Sequence, residues 1–179
     1  MDQPAPQRIA IIGICGGGKS TLARRLGDVL HLPVIHLDQH HHLPGFLPPD
    51  PDVWRATYET LEAGESWVMD GNYTSVARSR FERADLVLHV RAPALVAAIR
   101  VVRRALRSRG IPRPESAPGC VEQPFTPQFR SFVWWVLCFN RRQRPKLERA
   151  LAGVPPERIV RVSSWVEAEA LVARLAALR

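Results

Sequence analysis

Gly13-Ile14-Cys15-Gly16-Gly17-Gly18-Lys19-Ser20 is the stretch of the chain with the most chemistry in it. Gly13, Gly18, Lys19 and Ser20 fit the spacing G-x-x-x-x-G-K-[ST], with Gly16 and Gly17 among the free positions. Glycine lets a backbone turn its N–H groups inward, and a following helix adds partial positive charge at its first turn. Such a loop cradles the phosphates of a nucleoside triphosphate. Lys19 is expected to reach the β- and γ-phosphates, Ser20 to offer its hydroxyl to Mg²⁺, and Thr21 to follow in the same first turn.

The flanks agree with that reading. Ile9-Ala10-Ile11-Ile12 predicts a buried strand before the loop, and Leu22, Leu26, Val29 and Leu30 recur at helical spacing after it. Further on, 32–38 predicts a second strand ending on Asp38 and 66–72 a third ending on Asp70-Gly71; 84–93 predicts a fourth. Asp50 caps a helix with Pro51 at its first position. A helix from Ala94 to Ser108, a loop over 109–127 with five Pro and two Gly, and a helix from Gln128 come next. "ERIVRVSS" is the fifth strand, and Ser164-x-x-Glu167 a capping box for the last helix. Strands alternating with helices imply an α/β class with a parallel sheet, whose ligands bind beyond the carboxyl ends of the strands. Asp38 and Asp70 are both expected there: Asp70 to hold Mg²⁺ through water, Asp38 to orient or deprotonate an acceptor hydroxyl.

The chain has 179 residues, 46% of them apolar and 23% charged, which suits one soluble domain. Its three Cys follow no C-x-x-C pattern, and the first residues lack the apolar core of a signal peptide, so a cytoplasmic protein is expected. The longest apolar run, 132–139, is too short to span a bilayer, so no membrane partner is expected. Cys15 is either a tolerated small residue or a reactive thiol at a helix start. Three consecutive His, 40–42, have no Cys or carboxylate at metal spacing beside them and are read as pocket lining.

The net charge is +8, and only Lys19 and Lys146 are lysines, so nearly every cation is an Arg suited to two-pronged phosphate grips. On 94–108, Leu95, Ile99, Val102 and Leu106 share one face and Arg100, Arg103, Arg104 and Arg107 the opposite one. Arg109 and Arg113 continue into the Pro-rich loop, and Arg141, Arg142, Arg144 and Lys146 follow the next helix. Basic residues on both sides of a loop suit a lid closing over phosphates, and Arg141, Arg142 and Arg144 are assigned to catalysis with Lys19 and Asp38. Asp70 is followed by Gly71 rather than by a water-activating Glu, and no N-K-x-D occurs. Motors and guanine switches are thereby disfavoured, and a small phosphotransferase remains.

The chain resembles the adenylate-kinase-like P-loop kinases, and within them the bacterial DNA topology modulation protein (FlaR-related) family. The matching stretches are "IAIIGICGGGKSTLARRLG", "LPVIHLDQ", "WVMDGNYTS", "RADLVLHVRAP", "APGC" and "NRRQRPK". The resemblance implies a P-loop NTPase fold with a five-stranded parallel sheet, an acceptor-binding segment at about 38–66, a mobile lid at about 108–128, and Mg-ATP as donor. Adenylate kinases carry D-G-F-P-R, whose Arg grips the acceptor's phosphate; here Thr74 stands in that place, and Arg55 or Arg78 is the candidate substitute. The expected acceptor-binding set is Asp38, Arg55, Gly71, Asn72 and Tyr73. The acceptor is expected to be a small molecule, a nucleotide or nucleoside, handled by a monomer or homodimer. The alternative is a nucleic-acid-associated ATP-binding protein, since the net charge implies weak non-specific nucleic-acid binding.

Overall fold

The computed structural model describes residues 5–108 and 110–178; Arg109, at the edge of the expected lid, lies outside them. In chain order the elements are β1 (Arg8–Gly13), α1 (Lys19–Leu30), β2 (Val34–His36), α2 (Leu37–His41), α3 (Pro51–Glu62), β3 (Trp67–Asp70), α4 (Ala77–Arg83) and β4 (Leu86–Val90). They continue with α5 (Ala94–Arg107), α6 (Pro127–Leu137), α7 (Phe139–Arg142), α8 (Arg144–Ala150), β5 (Ile159–Val162) and α9 (Trp165–Ala176). All strand pairs are parallel, in the order β2-β3-β1-β4-β5. The chain leaves β1 towards β2 and β3 on one side and later crosses to β4 and β5 on the other. The crevice at that reversal lies beyond the carboxyl end of β1.

Alternation along the strands divides the core. Ile9 and Ile11 face α1 and α9, meeting Leu22, Leu26, Leu171 and Leu175. Ala10, Ile12, Met69 and Val87 face the other layer, meeting Trp54, Tyr58, Phe81, Val101, Val136 and Phe139. Both faces of the sheet are covered, which is why its strands read as continuous apolar runs. Helix starts follow their caps. The Asp50 carboxylate accepts from the N–H groups of Asp52 and Val53, and Ser164 accepts from that of Glu167, whose carboxylate takes the N–H of Ser163.

Two expectations need correction. The second strand stops at His36, and Asp38 sits in the first turn of the short α2 rather than at a strand end. On α5 the packed face is Ala97, Ala98, Val101 and Ala105, while Leu95 and Ile99 are 65% and 49% exposed. Small residues win that face because α5 lies close to the glycine loop, where larger side chains have no room: a Cβ at position 16 would come 2.4 Å from the Ala97 carbonyl oxygen. No described helix is long and apolar enough to cross a membrane.

Candidate active site

The glycine loop leaves β1 at Gly13, which has φ +135°; a Cβ there would lie 1.9 Å from the carbonyl oxygen of Val90 on the neighbouring strand. Glycine is obligatory at this exit. Helix α1 then begins with no side chain capping it and no acidic residue in its first turn. Its first amide donors therefore have neither an intrahelical nor a side-chain acceptor, the arrangement that receives a polyanion. The Lys19 ammonium donates to the carbonyls of Gly13 (3.1 Å) and Ile14 (3.2 Å), lying across the loop.

Three side chains hold the loop against β3. The Asn72 amide accepts from the Gly13 N–H (2.9 Å) and donates to the Gly13 carbonyl (3.0 Å), acting as an amide rung beyond the last residue of the strand ladder. Ser20 donates its hydroxyl to Asp70 Oδ2 at 2.7 Å. His36 Nδ1 stands 2.5 Å from Asp70 Oδ1; with the carboxylate ionised, the imidazole is the donor. Asp70 and His36 are both buried. His36 escaped sequence reasoning because a single His ending an apolar run has no signal of its own.

Ser20 and Asp70 fit a magnesium ion. They offer two hard oxygens at the mouth of a phosphate cradle, and Mg²⁺ bound with nucleotide takes one or two protein oxygens and completes its shell with water and phosphate. Among the described residues, no group of three or more His, Cys, Asp and Glu forms a separate metal site. Two of the three histidines pack instead, and His40 is exposed. His41 lies against Trp54 (4.8 Å between ring centroids) and Tyr73 (4.4 Å), and His42 against Phe46 (5.7 Å). Burial lowers the pKa of His40, His41 and His42, keeping all three neutral at physiological pH. Cys15 goes the other way: burial raises its thiol pKa against the pull of Lys19, so a low-pKa thiol is not what this loop creates.

All of this opens on one cleft of about 1790 Å³. That is roughly twice the upper end of the ~300–1,000 Å³ a single small ligand occupies, so there is room for two reactants. On one side are the glycine loop, Ser20, Thr21 and Asp70; on the other are Asp38, His42, Phe46, Leu47, Gly71, Asn72 and Tyr73. The Tyr73 hydroxyl donates to Asp38 Oδ1 at 2.6 Å, and burial followed by the Asp38 charge pushes the phenol pKa up, so it remains a donor. Tyr73 holds φ +33°, a strained value for a non-glycine residue. Beneath it runs Arg80, fully buried, whose Nη2 donates to the carbonyls of Gly71 (2.9 Å) and Asn72 (3.3 Å). Arg80 also escaped sequence reasoning, since one Arg in a short basic helix looks solvated.

The segment after α5 folds over the cleft. Gln39 donates to the Pro114 carbonyl, the Gly45 N–H to the Gly119 carbonyl (3.2 Å), and Cys120 Sγ to the Leu43 carbonyl (3.2 Å). Arg24 pairs with Glu115. Glu122, whose side chain is 8% exposed, is gripped by Arg104 (Nη2 to Oε1, 2.5 Å; Nε to Oε2, 3.2 Å) and by Arg113 (3.2 Å).

Arg24, Arg91, Arg100, Arg104 and Arg113 line the cleft. Arg141 and Arg142 do not: both are exposed on α7. Arg144 borders a smaller neighbouring depression of about 260 Å³ with His89 and Arg91, and lies 3.8 Å from Glu148. Arg55 is exposed on α3, and Arg78 is exposed and paired with Glu82, so neither reaches the cleft. Asp38, Asp70, Asn72 and Tyr73 are brought together with Lys19 and Ser20.

No family model matches the sequence, and no curated protein matches it. Solved structures do. The chain is similar to shikimate kinase from Acinetobacter baumannii in complex with shikimate, at 14% identity, over 96% of this chain and 92% of that one, with a TM-score of 0.60. Shikimate kinase from Bacteroides thetaiotaomicron matches at 18% identity over 97% and 98%, with a TM-score of 0.58. A gluconokinase from Sinorhizobium meliloti 1021 matches at 19% identity over 98% and 96%, with a TM-score of 0.51. At such identities the likeness is one of fold. The fold is that of the P-loop kinases, a five-stranded parallel sheet flanked by helices, as expected from the sequence.

Proposed function

We propose that the protein is an ATP-dependent kinase that moves the γ-phosphoryl group of Mg-ATP to a hydroxyl of a small molecule. The observation carrying this reading is the placement of Ser20–Asp70 and Asp38–Tyr73 in one cleft large enough for two reactants. Ser20 and Asp70 would hold the magnesium ion that accompanies the nucleotide, and the ion would supply charge neutralisation to the phosphates. Lys19 and the amides of the loop hold the phosphates, with Gly13, Gly16, Gly17 and Gly18 giving the backbone its approach. Asp38 uses one carboxylate oxygen for Tyr73 and keeps the other for the acceptor. As the acceptor oxygen bonds to phosphorus and the bond to the β-bridging oxygen breaks, the hydroxyl proton passes to Asp38 and ADP departs. Lys19 and Arg100 neutralise the transferred group from positions on the cleft wall. Arg141 and Arg142 stand outside the cleft, and Arg144 faces the smaller depression, so none of the three is assigned a contact with it.

Nucleotides and nucleosides head the acceptor candidates; shikimate and gluconate follow, because proteins of this fold carry those names. The motif order shared with the DNA topology modulation protein family supports a kinase-like site rather than a DNA-reading one. Labelled ATP incubated with a panel of nucleotides, nucleosides, sugar acids and polyols tests the reading: ADP should form only with a matching acceptor. Lys19→Ala should lower the rate by about 10²–10³-fold, the scale for losing one transition-state donor. ADP release that needs no acceptor, or that rises only with DNA, would overturn it.

A further inference from the structure

Most guanidiniums in this chain point into solvent or meet a single carboxylate at the surface. Arg104 and Arg113 differ, because together they enclose one nearly buried carboxylate inside the cleft. Arg104 is bidentate on Glu122 and Arg113 adds a third contact, the geometry with which arginines hold carboxylate or phosphate. Two guanidiniums against one carboxylate leave a positive excess, which matches a doubly charged oxyanion better than it matches Glu122.

Position separates this pair from the donor phosphates. Arg104 stands one turn further along α5 than Val101, the residue packed on Gly16. Arg113 precedes Pro114, whose carbonyl is held by Gln39, the neighbour of Asp38. The pair thus borders the side where Asp38 and Tyr73 stand. Arg55 and Arg78, the candidates expected for that side, are absent from the cleft lining.

We infer, resting on the phosphotransferase reading, that Arg104 and Arg113 form an oxyanion subsite for the acceptor, which carries a phosphate or carboxylate that replaces Glu122 between them. Glu122 is the internal occupant that keeps two cleft-facing guanidiniums paired until such a group arrives. Burying one of these charges without a partner is far costlier than exchanging one partner for another. The subsite does the work that Thr74 cannot do from the end of β3, and it selects an anionic hydroxyl compound over an uncharged nucleoside.

The test is calorimetry on protein saturated with Mg²⁺ and a non-hydrolysable ATP analogue, so that the glycine loop is filled. Inorganic phosphate and acetate are titrated separately, and the tighter of the two names the acceptor's group. Glu122→Gln, which removes the competing charge, should bind the preferred anion about 10–100-fold more tightly than wild type, the scale of a charged hydrogen bond. Adding Arg104→Gln or Arg113→Gln to that variant should abolish the gain. Should Glu122→Gln fail to fold, Arg113→Gln alone must weaken the wild-type anion affinity at least about tenfold. An unchanged anion affinity in Glu122→Gln would overturn the inference, and so would a gain that appears for the ATP analogue instead. Failure of the analogue to bind at all is a different result and removes the kinase reading itself.

Discussion

The two walls of the cleft are built by different means. The wall that we propose for the donor is mostly backbone: a strand end, a glycine turn and a helix start, fixed by an amide rung from Asn72 and a hydroxyl from Ser20. The wall that we propose for the acceptor is mostly side chain: Tyr73 bonded to Asp38 and backed by His41 and Trp54, and two guanidiniums around a carboxylate. A backbone site has few ways to be built, and it recurs with recognisable spacing. A side-chain site can be assembled from many positions, and its specificity is free to differ between chains that share the fold.

If the contrast is real, the two walls should fail differently. Gly13→Ala strikes the donor wall hardest, because the added methyl meets the Val90 carbonyl in a conformation unsuited to alanine. It should cost about 2–3 kcal/mol in urea unfolding and remove nucleotide binding as well. Asn72→Ala deletes both bonds to Gly13 and should cost about 1–2 kcal/mol. Nucleotide affinity measured by calorimetry should fall with it, whereas an Asn72 that served only the acceptor would leave that affinity untouched. Tyr73→Phe removes one hydrogen bond to Asp38. It should raise the acceptor KM several-fold with nucleotide affinity unchanged, and equal effects on both substrates would erase the distinction between the walls.

A further expected effect lies beside the cleft and is read by pH. Burial, reinforced by Arg91, Arg144 and Arg161 and opposed by Glu148, lowers the His89 pKa from 6.5 to about 4. The unfolded chain therefore takes up this proton before the folded chain does. Stability is complete above about 6.5 and declines as pH falls towards 4, after which this contribution is constant. The thermal midpoint should drop by roughly 5–10 degrees across that window, at about 1.4 kcal/mol for each pKa unit. In His89→Phe the part of the drop due to this site should vanish.

The contrast also explains what could be read in advance. The strand–loop–helix start, the five parallel strands, the Asp50 and Ser164 caps and the place of Asp70 at the end of β3 all follow from local pattern. Each depends on residues adjacent in sequence or on a general rule of sheet topology. His36, Arg80 and the partners of Glu122 depend on which distant segments meet, and single-residue chemistry does not announce that. The α5 face is ambiguous in the sequence because Leu95, Ile99, Val102 and Leu106 have a helical period as good as that of Ala97, Val101 and Ala105; only the nearness of the glycine loop decides between them. Arg141 and Arg142 were credited for charge beside a loop, yet α7 turns them outward.

Each hydrogen bond fastening the covering segment to the segment after β2 ends on a main-chain carbonyl, at Leu43, Pro114 or Gly119. These acceptors survive nearly any mutation of their own residues, and the Gly45 N–H does too, whereas the other two donors are the side chains of Gln39 and Cys120. With Gln39 and Cys120 kept, the rest of the roof of this chamber can drift in composition over generations while remaining pinned at the same points, which gives natural variants a cheap route to new preferences without rebuilding the walls.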